Sequence, residues 1–93
     1  MKELYYTGQF KKDFKRLKNQ PERAAKIIKV LECLQNDEPL GKEFKVHELK
    51  GIYKNHMECH VENDVLLIWF DKDENLIKAV RTGSHSELFG KSK

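Results

Sequence analysis

Four histidines stand in a chain of 93 residues, and three of them, His47, His60 and His85, fall where predicted elements end. Element ends are where reactive side chains are usually presented, whereas a packed core histidine belongs mid-strand. Asp64 lies in the turn just after His60, and Arg81 closes the last predicted strand just ahead of His85. Imidazoles move protons near neutral pH, a carboxylate can orient one of them, and a guanidinium binds phosphate. Together these groups form an inventory for cutting RNA without a metal. The 2′-hydroxyl must lose a proton, charge on the phosphorane must be stabilised, and the 5′-oxygen must gain a proton. Each proton-transfer group is worth about 10²–10⁴ in rate.

Two rival chemistries use overlapping residues. His56, Glu58, Cys59 and His60 include enough ligand types for zinc. On a strand, however, adjacent side chains diverge, and a fourth ligand must come from elsewhere. No metal and no other cofactor is therefore expected. Ser84 and Ser86 flank His85, but no nucleophile-elbow motif surrounds them.

The elements that must position these groups centre on residues 53–70. Val65 to Phe70 is apolar at every position, which predicts a central strand covered on both faces. The strand before it carries His56, Glu58 and His60 at period two, so all three leave one face. Glu62-Asn63-Asp64 joins the two strands as a tight turn. Upstream, Glu3–Thr7 reads as a short strand and Thr7 or Gly8 as a helix cap. Phe10, Phe14 and Leu17 form one helical stripe; Ala24, Ile27, Ile28, Leu31 and Leu34 form a second after Pro21. The two stripes predict a helical hairpin. Residues 36–42 read as a loop, Phe44–Leu49 as a third strand or extended segment, and Asn75–Thr82 as the last strand. In that last strand, Ile77, Ala79 and Arg81 should face opposite to Leu76, Lys78 and Val80. One helical turn is expected around Ser84–Gly90, and a frayed tail at Lys91–Lys93. The fold class that follows is α+β: an antiparallel sheet with an N-terminal helical hairpin on one face.

Bulk composition narrows the function classes. The chain should be a single domain over residues 1–93, too small for a doubly wound nucleotide-binding fold. With 39% hydrophobic and 35% charged residues it reads as soluble, with no signal peptide or membrane span, which places it in the cytoplasm. Cys33 and Cys59 show neither metal nor redox spacing and read as reduced, buried thiols. Net charge is only +3, but residues 1–30 carry nine Lys/Arg against three Asp/Glu. A basic N-terminal third suits a polyanionic partner as well as a solvated helix face.

Three segments, His47-Glu-Leu-Lys-Gly51, Glu58-Cys-His-Val-Glu-Asn-Asp64-Val-Leu-Leu-Ile68 and Arg81-Thr-Gly-Ser-His85-Ser-Glu-Leu-Phe89, resemble the YafQ branch of the RelE/ParE toxin superfamily. The opening Phe10-Lys-Lys-Asp-Phe-Lys-Arg-Leu17 is similar to that family's first helix, so the resemblance covers nearly the whole chain. It implies a RelE-like fold and the toxin of a bacterial type II toxin–antitoxin pair. It also implies a ribosome-dependent endoribonuclease that cuts mRNA without a metal and is silenced by a cognate antitoxin protein. The toxin alone would be a monomer, with a larger assembly when antitoxin is bound. On the matching positions, His47, His60, Asp64, Arg81, His85 and Phe89 are the implied catalytic set. His85 corresponds to the general acid, and His60 with Asp64 to a base and its orienting carboxylate. Arg81 corresponds to a phosphate-binding arginine, and Phe89 to a base-stacking ring. Lys50 and Lys54 are expected to touch the RNA backbone.

The resemblance has two departures. Many relatives carry arginine where Met57 stands and tryptophan where Val65 stands. Loss of a cation at Met57 motivates the alternative of a catalytically impaired, antitoxin-binding module. A gyrase-poisoning toxin of the same fold is a further alternative, but it would not depend on this set of histidines.

Overall fold

The computed structural model describes residues 1–73 and 75–90; Lys91–Lys93, expected as a tail, lie outside the described residues. In chain order it has β1 (Glu3–Tyr6), α1 (Gly8–Lys15), α2 (Pro21–Gln35), β2 (His47–Glu48), β3 (Met57–Glu62), β4 (Val65–Phe70), β5 (Leu76–Gly83) and α3 (His85–Phe89). The expected third strand shrinks to two residues. Lys42–Phe44 winds into a 3-10 turn, and Lys45 at φ 51° turns the chain before it extends. No helix among the described residues is long and apolar enough to cross a membrane.

The sheet order is β1-β5-β4-β3-β2. Strands β2 to β5 pair antiparallel, as expected, but β1 pairs parallel to β5, so the sheet is mixed. The difference has a topological cause. Short turns force antiparallel neighbours, but β1 leaves through two helices, and a crossover leaves the orientation open. The hairpin α1–α2 carries the chain from one sheet edge to the other across one face.

The all-apolar β4 is buried from Val65 to Trp69. Val65, Leu67 and Trp69 join Phe10, Ile27, Val30 and Leu31 in the core beneath the helices. Leu66 and Ile68 face the other way, where Leu49, Tyr53, Val80 and Leu88 cover them. Both faces are thus shielded, as the unbroken apolar run predicts. Thr7 caps α1 by accepting from the Phe10 amide at 3.0 Å.

Two β-bulges break the alternation. One lies between His60 and Glu62, the other between Ala79 and Arg81. The second corrects the expected facing of β5. Trp69 pairs with Ala79, but Ile68 pairs with Arg81, so Val80 is the extra residue. Arg81 is therefore opposite Ile68 on the face away from the helices, rather than beside Ile77 and Ala79. A bulge re-aims the side chains beyond it in this way.

Cys59 is fully buried, whereas Cys33 is only half-buried, contrary to the expectation of two buried thiols. Burial pushes the Cys59 thiol up to about 12, with the Glu58 carboxylate adding to the shift. Alkylation by iodoacetamide at pH 8, mapped by mass spectrometry, should label Cys33 first. Cys59 should react only at the rate of global unfolding, so urea should accelerate its labelling steeply.

Candidate functional site

The face of the sheet away from the helices carries the predicted chemistry. Register puts four residues in one row across four strands: His47 opposite Glu58, Glu58 opposite Ile68, and Ile68 opposite Arg81. The next row runs from His60 through Leu66 to Gly83. Beyond Gly83 the chain turns into α3, which brings His85 and Phe89 over the face. Gly83 has φ 150°, and a Cβ there would meet the Glu87 carboxylate at 2.7 Å, so the turn needs glycine. Ser84 and Glu87 complete a capping box that starts α3.

The rings of His47, His60, His85 and Phe89 follow one another at centroid distances of 6.4, 6.2 and 6.0 Å. Residues distant in sequence thus converge on one patch. His60 is half-buried, while His47, His85 and Phe89 are exposed. Steps of this size leave room for one phosphodiester between neighbouring imidazoles, each within reach of one oxygen.

The carboxylates are arranged differently from the expectation. Asp64 lies against His85, not His60. Its Oδ1 accepts from the His85 amide at 3.1 Å and stands 3.6 Å from the ring Nδ1. It therefore fixes the start of α3 and sets a negative charge beside the His85 ring. The carboxylate that partners the other end of the trio is Glu58. Its Oε1 lies 3.0 Å from His47 Nε2, while His47 Nδ1 donates to the Lys45 carbonyl at 2.7 Å. A carbonyl can only accept, which fixes the Nδ1 hydrogen and leaves a proton to be shared between Nε2 and Oε1. Glu58 is 3% exposed, and its Oε2 has no hydrogen-bond partner among the described residues. A buried carboxylate with an unused oxygen is a candidate functional group. Sequence placed Glu58 on the histidine face but considered it only as a metal ligand.

Tyr53 was not among the expected residues. It stands edge-on to Phe89 at 6.0 Å and to His56 at 5.9 Å, joining the face to a second aromatic group. Lys50 and Lys54 flank the 3-10 turn at Gly51–Tyr53 and are exposed beside the patch. Met57 faces the other way, paired with Trp69 and packed against the helix-side core. Its lack of charge removes nothing from the histidine face, and this weakens the motive for a non-catalytic reading.

Arg81 is pinned by Asp13 of α1. Its Nε and Nη2 donate to the two Asp13 oxygens at 2.8 and 3.0 Å, and the Thr82 amide adds a third bond at 3.1 Å. Gln9 Nε2 supplies a fourth at 3.1 Å. Burial alone would push the Asp13 carboxyl up, but these donors and the guanidinium charge outweigh it and hold it below the usual carboxylate range. Hydrogen bonding to Asp13 likewise raises Arg81, against a smaller effect of burial, with Tyr53 adding to the rise.

A sequence profile described as "Bacterial toxin of type II toxin-antitoxin system, YafQ" matches residues 2–90. The chain belongs to the YafQ toxin family. The mRNA interferase toxin YafQ of Escherichia coli K12 is 34% identical over 90 residues, 96% of this chain and 97% of that one. The toxin in the E. coli DinJ–YafQ complex superposes with a TM-score of 0.83 at 33% identity, covering 97% of this chain and 100% of its own. A metal-bound toxin from Helicobacter pylori gives 0.85 at 39% identity, covering 96% and 100%.

The depressed Asp13 carboxyl has a consequence for acid stability. A group lowered by folding contributes stability that is present above its unfolded value, about 3.9, and lost as pH falls through the folded one. Urea midpoints should therefore drop between pH 6 and pH 3 in the wild type, and Asp13→Asn should show a shallower drop.

Proposed function

We propose that this chain is the toxin of a type II toxin–antitoxin pair and an mRNA endoribonuclease working by side-chain acid–base catalysis. The observation that carries the reading is the convergence of His47, His60 and His85, with Phe89 beside His85, on the face that Arg81 shares. Family membership and the interferase name of its E. coli relative support the same activity.

In the proposed reaction the 2′-oxygen attacks the adjacent phosphorus while the bond from phosphorus to the 5′-oxygen breaks. His60 takes the 2′-hydroxyl proton, with the His47–Glu58 pair beside it as a proton reservoir. His85, beside the Asp64 carboxylate, gives a proton to the leaving 5′-oxygen. The products are a 2′,3′-cyclic phosphate and a 5′-hydroxyl, so atoms and charge balance without a co-reactant. Arg81 donates N–H groups to the phosphoryl oxygens as charge builds on them. Phe89 offers a ring against which a base can stack, and Lys50 and Lys54 bind the RNA backbone.

The metal-bound relative raises the question of a cation. His47 and Glu58 already satisfy each other at 3.0 Å, and among the described residues no three His, Cys, Asp or Glu side chains are arranged to hold a metal ion. The steps above use side chains alone.

The biological setting is read from the relatives. The basic helical hairpin would grip ribosomal RNA while the A-site codon enters the histidine face. The E. coli complex of YafQ with DinJ supports a protein antitoxin as the silencing partner. A cytoplasmic setting follows from that role.

The test is mRNA cleavage in a purified translation system. His60→Ala and His85→Ala should each slow cutting about 10²–10⁴-fold. Glu58→Gln should mimic His47→Ala, with the double variant no slower than either single one. Wild-type rates in both the His60 and His85 variants would overturn the assignment.

A further inference from the structure

We infer that Asp13, on the first helix and outside the histidine face, is the positioning residue that aims Arg81 at the scissile phosphate. The inference rests on the reading of Arg81 as a phosphate ligand.

A guanidinium has two edges able to bind an oxyanion in a fork. Asp13 occupies the side-on edge, Nε with Nη2, through both carboxylate oxygens. The end-on edge, Nη1 with the second Nη2 hydrogen, points away from the carboxylate. Arg81 keeps 17% of its side chain exposed, whereas the Asp13 side chain is fully buried. One edge is clamped by Asp13, and Tyr53 of the histidine face also bears on the guanidinium.

The clamp is rigid because Asp13 is itself over-determined. The Thr82 amide and Gln9 both donate to it, so it can neither rotate nor follow Arg81 if the guanidinium swings. The Thr82 bond also ties it to the backbone one residue beyond Arg81. Left alone, an arginine samples many rotamers, and each bond to a ligand costs some of that freedom. Asp13 removes the cost before substrate arrives.

The clamp also changes what Arg81 contributes. Paired with a carboxylate, the guanidinium brings no net charge, so it adds little long-range attraction for RNA. What it retains is a pair of directed donors, whose value depends on placement in the transition state. Losing Asp13 should therefore reduce the maximal rate far more than the affinity for programmed ribosomes.

A double-mutant cycle tests this with single-turnover cleavage on programmed ribosomes, fold being monitored by urea unfolding at neutral pH. Asp13→Asn should lower the maximal rate about 10- to 100-fold, with half-saturation little changed. In an Arg81→Ala background the same substitution should change the rate within about twofold, because nothing remains to be aimed. Gln9→Ala, at an exposed position, removes one support of Asp13 while leaving both members of the pair in place, and should give a smaller loss at unchanged stability. It carries the test if Asp13→Asn fails to fold. Equal losses from Asp13→Asn in both backgrounds, or full activity in a folded Asp13→Asn protein, would overturn the inference. Full activity of Arg81→Ala alone would instead remove the phosphate role of Arg81 on which it rests.

Discussion

The structure depends on how the outer edge of β5 is satisfied once β1 ends. Strand β1 covers β5 only from Leu76 to Ala79. Past that point β5 would present unpaired backbone groups, and each one buried without a partner costs about 1–3 kcal/mol. The segment after β1 supplies the missing bonds. The Thr7 amide donates to the Ala79 carbonyl at 3.1 Å and its hydroxyl to the Val80 carbonyl at 2.9 Å. Asp13 then receives the Thr82 amide. The cap and first helix thus complete a sheet edge, partly with side chains where a strand would have used backbone, and the same helix reaches the functional face through Arg81.

The two bulges matter for a related reason. Both lie at the rim of the site, and each separates residues that strict alternation would have kept together. Beyond the first, Glu62 turns to the helix side, where it receives Arg23 at 2.8 Å and Lys26 at 2.9 Å. Beyond the second, Arg81 turns away from the helix-side core. A sheet of regular pleat would have put the guanidinium and the imidazoles on opposite sides. The irregularity is what lets a domain this small bring them together.

Much of this was legible in the chain. The unbroken apolar run of β4 announced a doubly covered strand, the stripes around Phe10 and Ile27 announced the helices, and period two put His56, Glu58 and His60 on one face. What sequence could not show depends on long-range pairing. The parallel partner of β1 is chosen by a crossover with no local signal. A bulge at Val80 looks like any other β-branched residue in a strand. The resemblance pairs Asp64 with His60, but α3 folds back and brings His85 closer. Asp13 passed unnoticed as one acidic residue in a basic helix. Its burial, with four donors around it, appears only when β5 is laid beside α1.

The bulges make residue count in β3 and β5 as consequential as residue type. Removing Val61 or Val80 would delete one small apolar side chain and leave every reactive group in the protein. It would also close the bulge and leave Glu62 opposite Val65 and Arg81 opposite Ile68, facing as they do now. A relative with the full count of residues but no bulge to absorb the extra one would turn Arg81 to the helix side, and so possess the whole inventory and still lack the active arrangement. Among such chains, spacing identifies a working nuclease better than composition.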